Sequence, residues 1–493
     1  MIREWARMRV SQHNARLNPP AKRGLEQVNA SIHSSPPKDS IINVPSHSKT
    51  FTAASGSEDI LSSQIHMALV ESLYVEEKRK QNGSHGSSAF SCYYVHSPEF
   101  AQAALQAPFH PQRECMVHSL ICSFGLLAEG TPSSIQCLSP SAPFSQEELS
   151  LYFDSDYMEA LFHPAQLSGA DRSVYGLVGD CAPFKTLSTY VSYLAGSIHT
   201  LANVLIRHRE QVEAGDTVAK ETVPLLFFWQ GGRHHAHYEC ASGYCFINDI
   251  ALCISLLRTS RVFSSVPIMY IDLDVHHCDG VEKCVDGYKD IIVFSVHHAS
   301  EGYFPGTGAD YVYHNGSSPF FRMPLQAGAS NTTWIESVKF ALTLLRAKFL
   351  PECLLVQCGS DSLSADPLGC FNLSSEAYLS VLEFVESWEL PTVLLGGGGY
   401  VPANSARLWT LLTAQAAGVE IDVNVNSNIP ADNPWFESYG PSFNMNMQMD
   451  LSARKDENSA EDMWELKQVF SDAIEKYFEP LNATATAGKS RER

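Results

Sequence analysis

The chain has 493 residues, 44% of them hydrophobic and 18% charged, which is typical of a globular protein of one large or two ordinary domains and excludes fibrous and wholly disordered classes. Its longest apolar runs fall far short of the roughly 18 to 20 residues that a membrane helix needs, so we expect no membrane contact. The net charge is −20, and because the first 90 residues carry a small positive excess, the remainder is strongly acidic. This charge argues against direct binding of nucleic acid, and it either suits a basic substrate or serves only solubility.

The first segment in chain order, residues 1–88, is rich in Ser, Asn, Pro and His and poor in patterned hydrophobic residues. Such a composition predicts a mostly disordered N-terminal extension. Within it, Gln64 to Lys80 has the pattern of a short helix that ends in three basic residues. The triplet is either a weak nuclear-import signal or simply a basic helix C-terminus.

From Ser91 onward, short apolar runs of β type alternate with amphipathic helical segments. The predicted strands are Leu225 to Trp229, Ile268 to Val275, Ile291 to Val296, Cys353 to Gln357 and Thr392 to Leu395. The predicted helices are Cys245 to Arg258, Thr332 to Phe349, Glu376 to Trp388 and Asp462 to Tyr477. This alternation predicts an α/β fold whose central, mostly parallel sheet is flanked by helices on both faces, with functional groups in the loops beyond the strands' carboxyl ends.

The most informative segment runs from Tyr270 to Gly280 and reads YIDLDVHHCDG. On a strand, alternate side chains share a face, so Asp272, Asp274 and His276 are predicted to line up on one side. Two buried carboxylates repel each other and need cations or strong donors nearby, and a carboxylate with an imidazole two residues on is a reasonable pair of zinc ligands. The alternative is that the acids only accept hydrogen bonds from loop amides.

Paired histidines, His234 and His235, follow the strand predicted to end at Trp229, in the segment GGRHHA. Neighbouring strand residues point to opposite faces, so both imidazoles can serve one site only if the two glycines bend the chain. The pair is suited to metal binding or to proton transfer near neutral pH. Two buried core histidines remain an open alternative.

Two more polar segments follow predicted strands. Asp361 comes after the strand that ends at Gln357 and can supply a further carboxylate. Four glycines precede Tyr400 and allow its phenol to project into a cavity, although a packed aromatic is the alternative. Asp274, His276 and Asp361 together offer three ligands and leave a fourth position open, as catalytic zinc requires.

With these motifs the chain resembles the zinc-dependent histone deacetylases of class I type, from about Cys92 to Trp409 and more loosely to about Tyr477. The matching segments are Arg113 to Leu120, Gly179 to Cys181, Gly231 to Ala236, Ala241 to Asp249, Asp272 to His277, Tyr303 to Gly308, Asp366 to Phe371 and Gly396 to Tyr400. The resemblance implies a three-layer arginase/deacetylase-like fold with a parallel sheet near eight strands. The implied catalytic domain is 89–480, including a C-terminal helix at 460–478, and a polar tail follows at 481–493.

The resemblance also implies a role for each candidate residue. The family's zinc ligands fall on Asp274, His276 and Asp361. Its catalytic histidines, their carboxylate partners and the phenol that hydrogen-bonds the substrate carbonyl fall on His234, His235, Asp272, Asp279 and Tyr400. Its substrate-binding positions, comprising the walls of an acetyl-lysine tunnel and an acidic rim, fall on Gly243, Tyr244, Phe304, Leu368 and Asp180. A potassium site beside the zinc, using Asp272 and Ser295, is implied as well.

Two departures from the family pattern affect the site without removing a catalytic group. Cys278 stands where the family usually has Gly, which adds a thiol next to Asp279. Tyr244 replaces the usual tunnel Phe and places a hydroxyl at an apolar wall. We therefore still expect activity.

The predicted function is hydrolysis of the acetyl amide of N6-acetyl-lysine, on histone tails or other basic protein segments, with zinc and without NAD. One alternative is a deacetylase of acetylpolyamines or other small amides, and another is a catalytically weak scaffold that binds acetyl-lysine. Retention of the three ligands, both histidines and Tyr400 argues against the scaffold.

Partners and compartment are expected from the same resemblance. Family members in corepressor complexes clamp an inositol phosphate with basic residues, whereas the matching positions here are His110, Pro367 and Ala403, so dependence on such a complex is not expected. The 13 cysteines form no C-x-x-C pair, which indicates reduced intracellular thiols. We expect a nuclear location, with the cytoplasm as a second compartment.

Overall fold

The computed structural model describes residues 90–109, 112–128, 135–140, 142–313, 319–421, 427–447, 451–452 and 454–489, and within them nine strands form one sheet. The strands are β1 (Phe90–Val95), β2 (Gln136–Leu138), β3 (Val223–Phe228), β4 (Ile268–Asp272), β5 (Ile291–His298), β6 (Val312–Tyr313), β7 (Phe320–Leu325), β8 (Cys353–Gln357) and β9 (Thr392–Leu395). Their order across the sheet is β2-β1-β3-β9-β8-β4-β5-β7-β6. All neighbours pair in parallel except β6 and β7, so eight strands are parallel and one edge strand is antiparallel.

Thirteen α-helices lie in the same described ranges. They are α1 (Pro98–Ala104), α2 (Arg113–Ser123), α3 (Gln146–Leu149), α4 (Ser155–Phe162), α5 (Gly169–Val174), α6 (Leu187–Glu213), α7 (Thr217–Glu221), α8 (Asp249–Thr259), α9 (Asp279–Val285), α10 (Asn331–Phe349), α11 (Ser375–Glu386), α12 (Pro402–Ala416) and α13 (Ala460–Lys489). None of these helices is both long and apolar enough to cross a membrane.

Two apolar cores cover the two faces of the sheet, because alternate residues of each strand point to opposite sides. On β4, Met269 and Ile271 pack into one core, while Ile268 and Tyr270 pack into the other. Helices α2 and α10 to α13 cover the first face, and α1, α4, α6, α8 and α9 cover the second. The predicted three-layer α/β fold with a mostly parallel sheet near eight strands is confirmed.

Several predicted element bounds are wrong, each for a local reason. Strand β4 ends at Asp272 and not at Val275, because the next backbone N–H groups bond to carboxylates: Asp274 N donates to Asp272 Oδ1 at 3.1 Å and His276 N donates to Asp274 Oδ1 at 3.0 Å. Helix α8 starts at Asp249 and not at Cys245, because the Asn248 side chain caps its N-terminus.

The predicted bounds at the two ends of the chain have different outcomes. Helix α13 runs to Lys489, so its predicted end near residue 478 is wrong and part of the predicted tail is helical. Residues 1–88, the predicted helix Gln64 to Lys80 and His110 lie outside the described residues. The predicted domain boundaries therefore stay predictions.

Helix α13 docks on the sheet through Phe470, which is buried with its ring 6.2 Å from that of Phe294 and 6.0 Å from that of Phe321. Phe470→Ala should lower the free energy of unfolding by about 3 to 5 kcal/mol, since it leaves a cavity between helix and sheet. Val469→Ala, at the exposed neighbouring position, is the matched control and should change it by less than about 0.5 kcal/mol. Urea unfolding measures both; equal effects would show that α13 does not depend on this contact.

Candidate active site

Four adjacent strands, β3, β9, β8 and β4, bring the predicted polar segments together. Their register pairs Phe228 with Leu395, Leu395 with Gln357, and Gln357 with Asp272, so the four carboxyl ends lie side by side. The loops that follow these strands line one pocket. Its lining residues are Gly232, Arg233, His234, His235, Gly243, Tyr244, Cys245, Asp274, His276, Asp361, Gly397, Gly398 and Tyr400.

Asp274, His276 and Asp361 converge in this pocket. Their ligand atoms all lie within 4.8 Å of one another, and the three residues are buried. His276 Nδ1 lies 3.1 Å from Asp274 Oδ1 and 3.1 Å from Asp361 Oδ2, so one nitrogen faces both carboxylates. Two carboxylates and one imidazole are ordinary zinc ligands, and a cation among them would satisfy all three.

The electrostatics of this triad also favour a cation. Burial and the nearby Asp274 raise the pKa of Asp361. Burial alone would raise the pKa of Asp274 as well, but His234 and His276 hold it well below its usual value. The pKa of His276 would be lowered by burial, and its bonds to the two carboxylates raise it to about 10. Two buried acids this close are stable only with positive charge between them, which fits a divalent metal.

Two neighbours orient the carboxylate of Asp274. Gln357 Nε2 donates to Asp274 Oδ2 at 2.8 Å, and the backbone N–H of Gly398 donates to the same oxygen at 2.9 Å. A Cβ at Gly398 would collide with the carboxylate of Asp361, so only glycine allows the loop after β9 to pass this close. The glycine run therefore brings backbone donors to the triad.

The two histidines both reach the pocket, with ring centroids 3.9 Å apart. The chain bends between β3 and the pair, where Gly232 adopts φ +91° and Asp249 accepts the N–H groups of Gly232 and Arg233 at 2.9 and 2.7 Å. The predicted bend at Gly231 and Gly232 is therefore present, and both imidazoles line the same pocket.

Each histidine is anchored by its own carboxylate. His234 Nδ1 bonds to Asp272 Oδ2 at 2.8 Å, and His235 Nδ1 bonds to Asp279 Oδ1 at 2.8 Å. Burial would lower the pKa of His234, but Asp272 and Asp274 raise it to about 9. Burial and the neighbouring His234 lower the pKa of His235 to about 3, against the opposing effect of Asp279. The pair therefore combines one ring that favours a proton with one that favours the neutral form.

Tyr400 lines the same pocket. It follows β9, whereas the two histidines follow β3, and it interacts with the charges of Asp361 and Asp274. Burial raises its pKa well above the usual range, and the charges of Asp361 and Asp274 raise it further. Its phenol therefore stays protonated and can donate a hydrogen bond. Its ring centroid lies 5.6 Å from that of Tyr244.

The predicted tunnel walls meet near the histidines. The ring of Phe304 lies 4.7 Å from that of His235, and a Cβ at Gly243 would come within 2.8 Å of the Phe304 ring. Gly243 and Tyr244 both have positive φ, at +51° and +62°. Phe304 and Leu368 are about 40% exposed, and Asp180 is exposed, as expected of residues at a mouth.

Asp272 and Ser295, the predicted potassium residues, are register partners on β4 and β5 and are fully buried. Ser295 Oγ bonds to His297 Nδ1 at 2.7 Å. Cys278 is also fully buried, and burial raises the pKa of its thiol well above the usual range, so the added side chain is a poor nucleophile.

Three further side chains support the site, although no role was predicted for them from the sequence. Gln357 orients Asp274, as described above. Buried Arg113 donates from Nη1 to the carbonyls of Gly397 and Gly399 at 2.9 and 3.0 Å and so fixes the glycine loop. Asp366 accepts a hydrogen bond from the backbone of Tyr400. Gln357 ends β8, Arg113 begins α2 and Asp366 lies in the loop after β8, and no periodic pattern in the sequence marks them as part of the site.

Comparison with known proteins adds independent information. A family model described as a histone deacetylase domain matches residues 107–416. The chain is 33% identical to histone deacetylase 8 of Xenopus tropicalis, covering 76% of this chain and 95% of that protein, and 32% identical to histone deacetylase 8 of Danio rerio, covering 75% and 92%. It is 31% identical to histone deacetylase 1 of Homo sapiens, covering 73% and 70%.

The triad geometry predicts which substitutions abolish metal binding. His276→Ala and Asp361→Ala should each weaken zinc binding by more than the roughly 10- to 100-fold that loss of an outer partner costs, whereas Gln357→Leu should fall within that range. His235→Ala should bind zinc like the wild type, since its Nδ1 is committed to Asp279. Zinc content after dialysis against a competing chelator measures this; undiminished zinc in His276→Ala would remove the triad as the metal site.

Proposed function

The chain belongs to the histone deacetylase family and is a lysine deacetylase, and from this premise we propose that it uses zinc to hydrolyse the acetyl amide of N6-acetyl-lysine on histone tails or other basic protein segments. The observation that carries the proposal is one pocket in which the buried triad Asp274, His276 and Asp361 lies beside two anchored histidines and a protonated tyrosine. Amide hydrolysis needs these three functions: a Lewis acid site, proton transfer and an oxyanion donor.

Asp274, His276 and Asp361 would hold the zinc ion. When bound there, zinc would supply Lewis acidity to the acetyl carbonyl and lower the pKa of an attacking water. The protein's own part is to fix the three donors, and the bonds from Gln357 and Gly398 do so on the Asp274 side.

His235 is the group we assign to proton transfer. Its ring contacts the Phe304 wall, and the bond from Nδ1 to Asp279 leaves Nε2 as the atom that exchanges a proton with water or the leaving amine. His234 lies deeper, with Nε2 3.8 Å from Asp274 Oδ2, and we assign it to stabilising the negative charge that develops at the reacting centre. Asp272 and Asp279 keep the two rings oriented.

Tyr400 is the oxyanion donor in this proposal. A phenol held protonated can hydrogen-bond the acetyl carbonyl and strengthen that bond as the oxygen becomes negative. Gly243, Tyr244 and Phe304 would enclose the lysine methylenes, with Leu368 at the mouth, and Asp180 would accept backbone N–H groups of the substrate. A tunnel of this kind excludes water from the reacting amide.

We further propose that the substrates are proteins and not polyamines, that nucleic acid is not bound directly, and that the enzyme is nuclear. The exposed carboxylate of Asp180 and the net charge of −20 support a basic peptide segment around the acetyl-lysine. A structural potassium ion at Asp272 and Ser295 is part of the proposal, supported by the pairing of these buried residues on adjacent strands.

The function can be tested with purified protein and three substrates at equal concentration: an acetylated histone-tail peptide, an acetyl-lysine peptide with acidic flanks and an acetylpolyamine. We expect kcat/KM to be highest for the histone-tail peptide, and activity to disappear with a chelator and return with zinc. A preference for the acetylpolyamine would contradict the protein substrate, and activity that survives complete metal removal would contradict the zinc mechanism.

Tyr400→Phe should lower kcat by roughly 100- to 1000-fold while zinc binding is unchanged, because it removes one oxyanion donor. Tyr244→Phe is the matched control, since it deletes a phenol oxygen in the same pocket from a residue that we do not assign to the oxyanion. Its activity should stay within a few-fold of the wild type. Equal turnover of Tyr400→Phe and wild type on an acetyl-lysine peptide would remove the oxyanion role.

Independence from inositol phosphates is the last part of the proposal. Pro367 is exposed and Ala403 half-buried, and neither offers a charged donor to a polyanion, while His110 lies outside the described residues. Inositol hexakisphosphate at micromolar concentration should therefore change the deacetylase rate less than about twofold. A many-fold, saturable increase would show that basic residues elsewhere bind it.

A further inference from the structure

We propose that Asp366 is a positioning residue that ties the catalytic Tyr400 to the substrate-facing loop around Leu368. The inference rests on the proposed function, because it concerns how the same site places its oxyanion donor. In this proposal Asp366 does not contact the substrate.

The contacts of Asp366 join two separate segments. Asp366 Oδ2 accepts the backbone N–H of Tyr400 at 2.8 Å, and Asp366 Oδ1 accepts the backbone N–H of Leu368 at 3.0 Å. The residue is 4% exposed, so neither bond competes freely with water. One carboxylate thus holds the loop after β9 and the loop after β8 at a fixed separation.

Tyr400 needs such a tie because the backbone before it has little conformational restraint of its own. Gly397 and Gly399 adopt φ +147° and +135°, which glycine reaches without a side chain to restrict it. Arg113 and Ser360 bond to carbonyls of this run, whereas Asp366 bonds to the N–H of Tyr400 itself. A displacement of about 1 Å in a catalytic group costs roughly 100-fold in rate.

On the Leu368 side, the chain of contacts from Asp366 continues to the metal triad. The carbonyl of Leu368 accepts a hydrogen bond from the Tyr303 hydroxyl at 3.0 Å, and the Tyr303 ring stacks on that of His276 with centroids 5.3 Å apart. Contacts from Asp366 therefore lead to Tyr400 on one side and, through Leu368 and Tyr303, to His276 on the other. The separation of the Tyr400 phenol and the His276 imidazole must suit one acetyl group. A carboxylate that only stabilised its local turn would bond to Leu368 alone. Asp366 also bonds to Tyr400, which lies in a different loop.

The substitution Asp366→Asn tests the tie with little change of shape. The amide has one oxygen to accept a single N–H, and its NH2 group would face the second N–H as donor against donor. A matched control exists in Asp456, whose Oδ1 accepts the N–H of Asn458 two residues on at 2.9 Å and whose Oδ2 accepts the distant N–H of Ser330 at 3.0 Å. These two backbone bonds match those of Asp366, at the start of α10 and without a residue that lines the pocket. Asp456 is half-buried and also accepts side-chain bonds from Asn458 and Thr333.

A double-mutant cycle on an acetyl-lysine peptide separates positioning from general stability. We expect Asp366→Asn to lower kcat roughly 10- to 100-fold with a smaller change in KM, and Asp456→Asn to stay within about twofold. In the Tyr400→Phe background, measured under single-turnover conditions, Asp366→Asn should cost less than about threefold, because the group it positions is gone. Full additivity of the two losses, or an equal loss in Asp456→Asn, would overturn the proposal.

Hydrogen exchange of the Tyr400 amide gives a readout that does not need activity. The amide should exchange slowly in the wild type, at least tenfold faster in Asp366→Asn and at the wild-type rate in Asp456→Asn. Exchange that is unaltered at both the Tyr400 and the Leu368 amides in Asp366→Asn would refute the proposal. Accelerated exchange in a protein whose wild type hydrolyses no acetyl-lysine would instead refute the proposed function and uphold the bond.

Discussion

Two carboxylates removed from water, Asp274 and Asp361, set the requirements for the rest of the site. Both are fully buried, and isolated ions in such surroundings lose hydration that only donors and cations can replace. The chain supplies donors from Gln357, Gly398 and the backbone N–H of Val275, at 2.8, 2.9 and 3.2 Å. These donors carry no charge, and the positive charge that the two carboxylates need comes from His276, which contacts both, or, as we propose, from a metal ion that the three residues would hold.

The architecture meets this demand by placing short loops where four parallel strands end. Strands β3, β9, β8 and β4 are neighbours, so the first few residues beyond each strand are enough to bring a histidine, a glycine amide or a carboxylate to the same pocket. Glycine at position 398 allows the backbone to approach Asp274 and Asp361. Arg113, the first residue of α2, stabilises the glycine loop by donating hydrogen bonds to its carbonyl groups. The apolar cores on both faces keep these strand ends rigid, which a catalytic geometry requires.

Prediction from sequence worked where the signal is local. The apolar runs Cys353 to Gln357 and Thr392 to Leu395 are strands at the predicted bounds, and the polar residues after them mark the site. Prediction of strand ends failed where side chains compete with the backbone for hydrogen bonds. The carboxylates of Asp272 and Asp274 accept the N–H groups that would have extended β4. Leu273 and Val275 nevertheless pack in the same core as Ile271, so the alternation of faces continues beyond the strand. Contacts such as Asp366 to Tyr400 join residues 34 positions apart and leave no periodic trace.

Tyr244 shows how a departure from the family pattern is accommodated. At the sequence level its hydroxyl would face an apolar wall, where an unpaired polar group is costly. In the structure the residue is only half-buried, its ring packs against Phe109 at 5.1 Å, and burial together with the charge of Asp180 raises the pKa of its phenol. The substitution therefore adds a partly exposed phenol to the pocket wall beside Tyr400, where water can solvate part of it, and this exposure lowers the cost of a polar group at that wall.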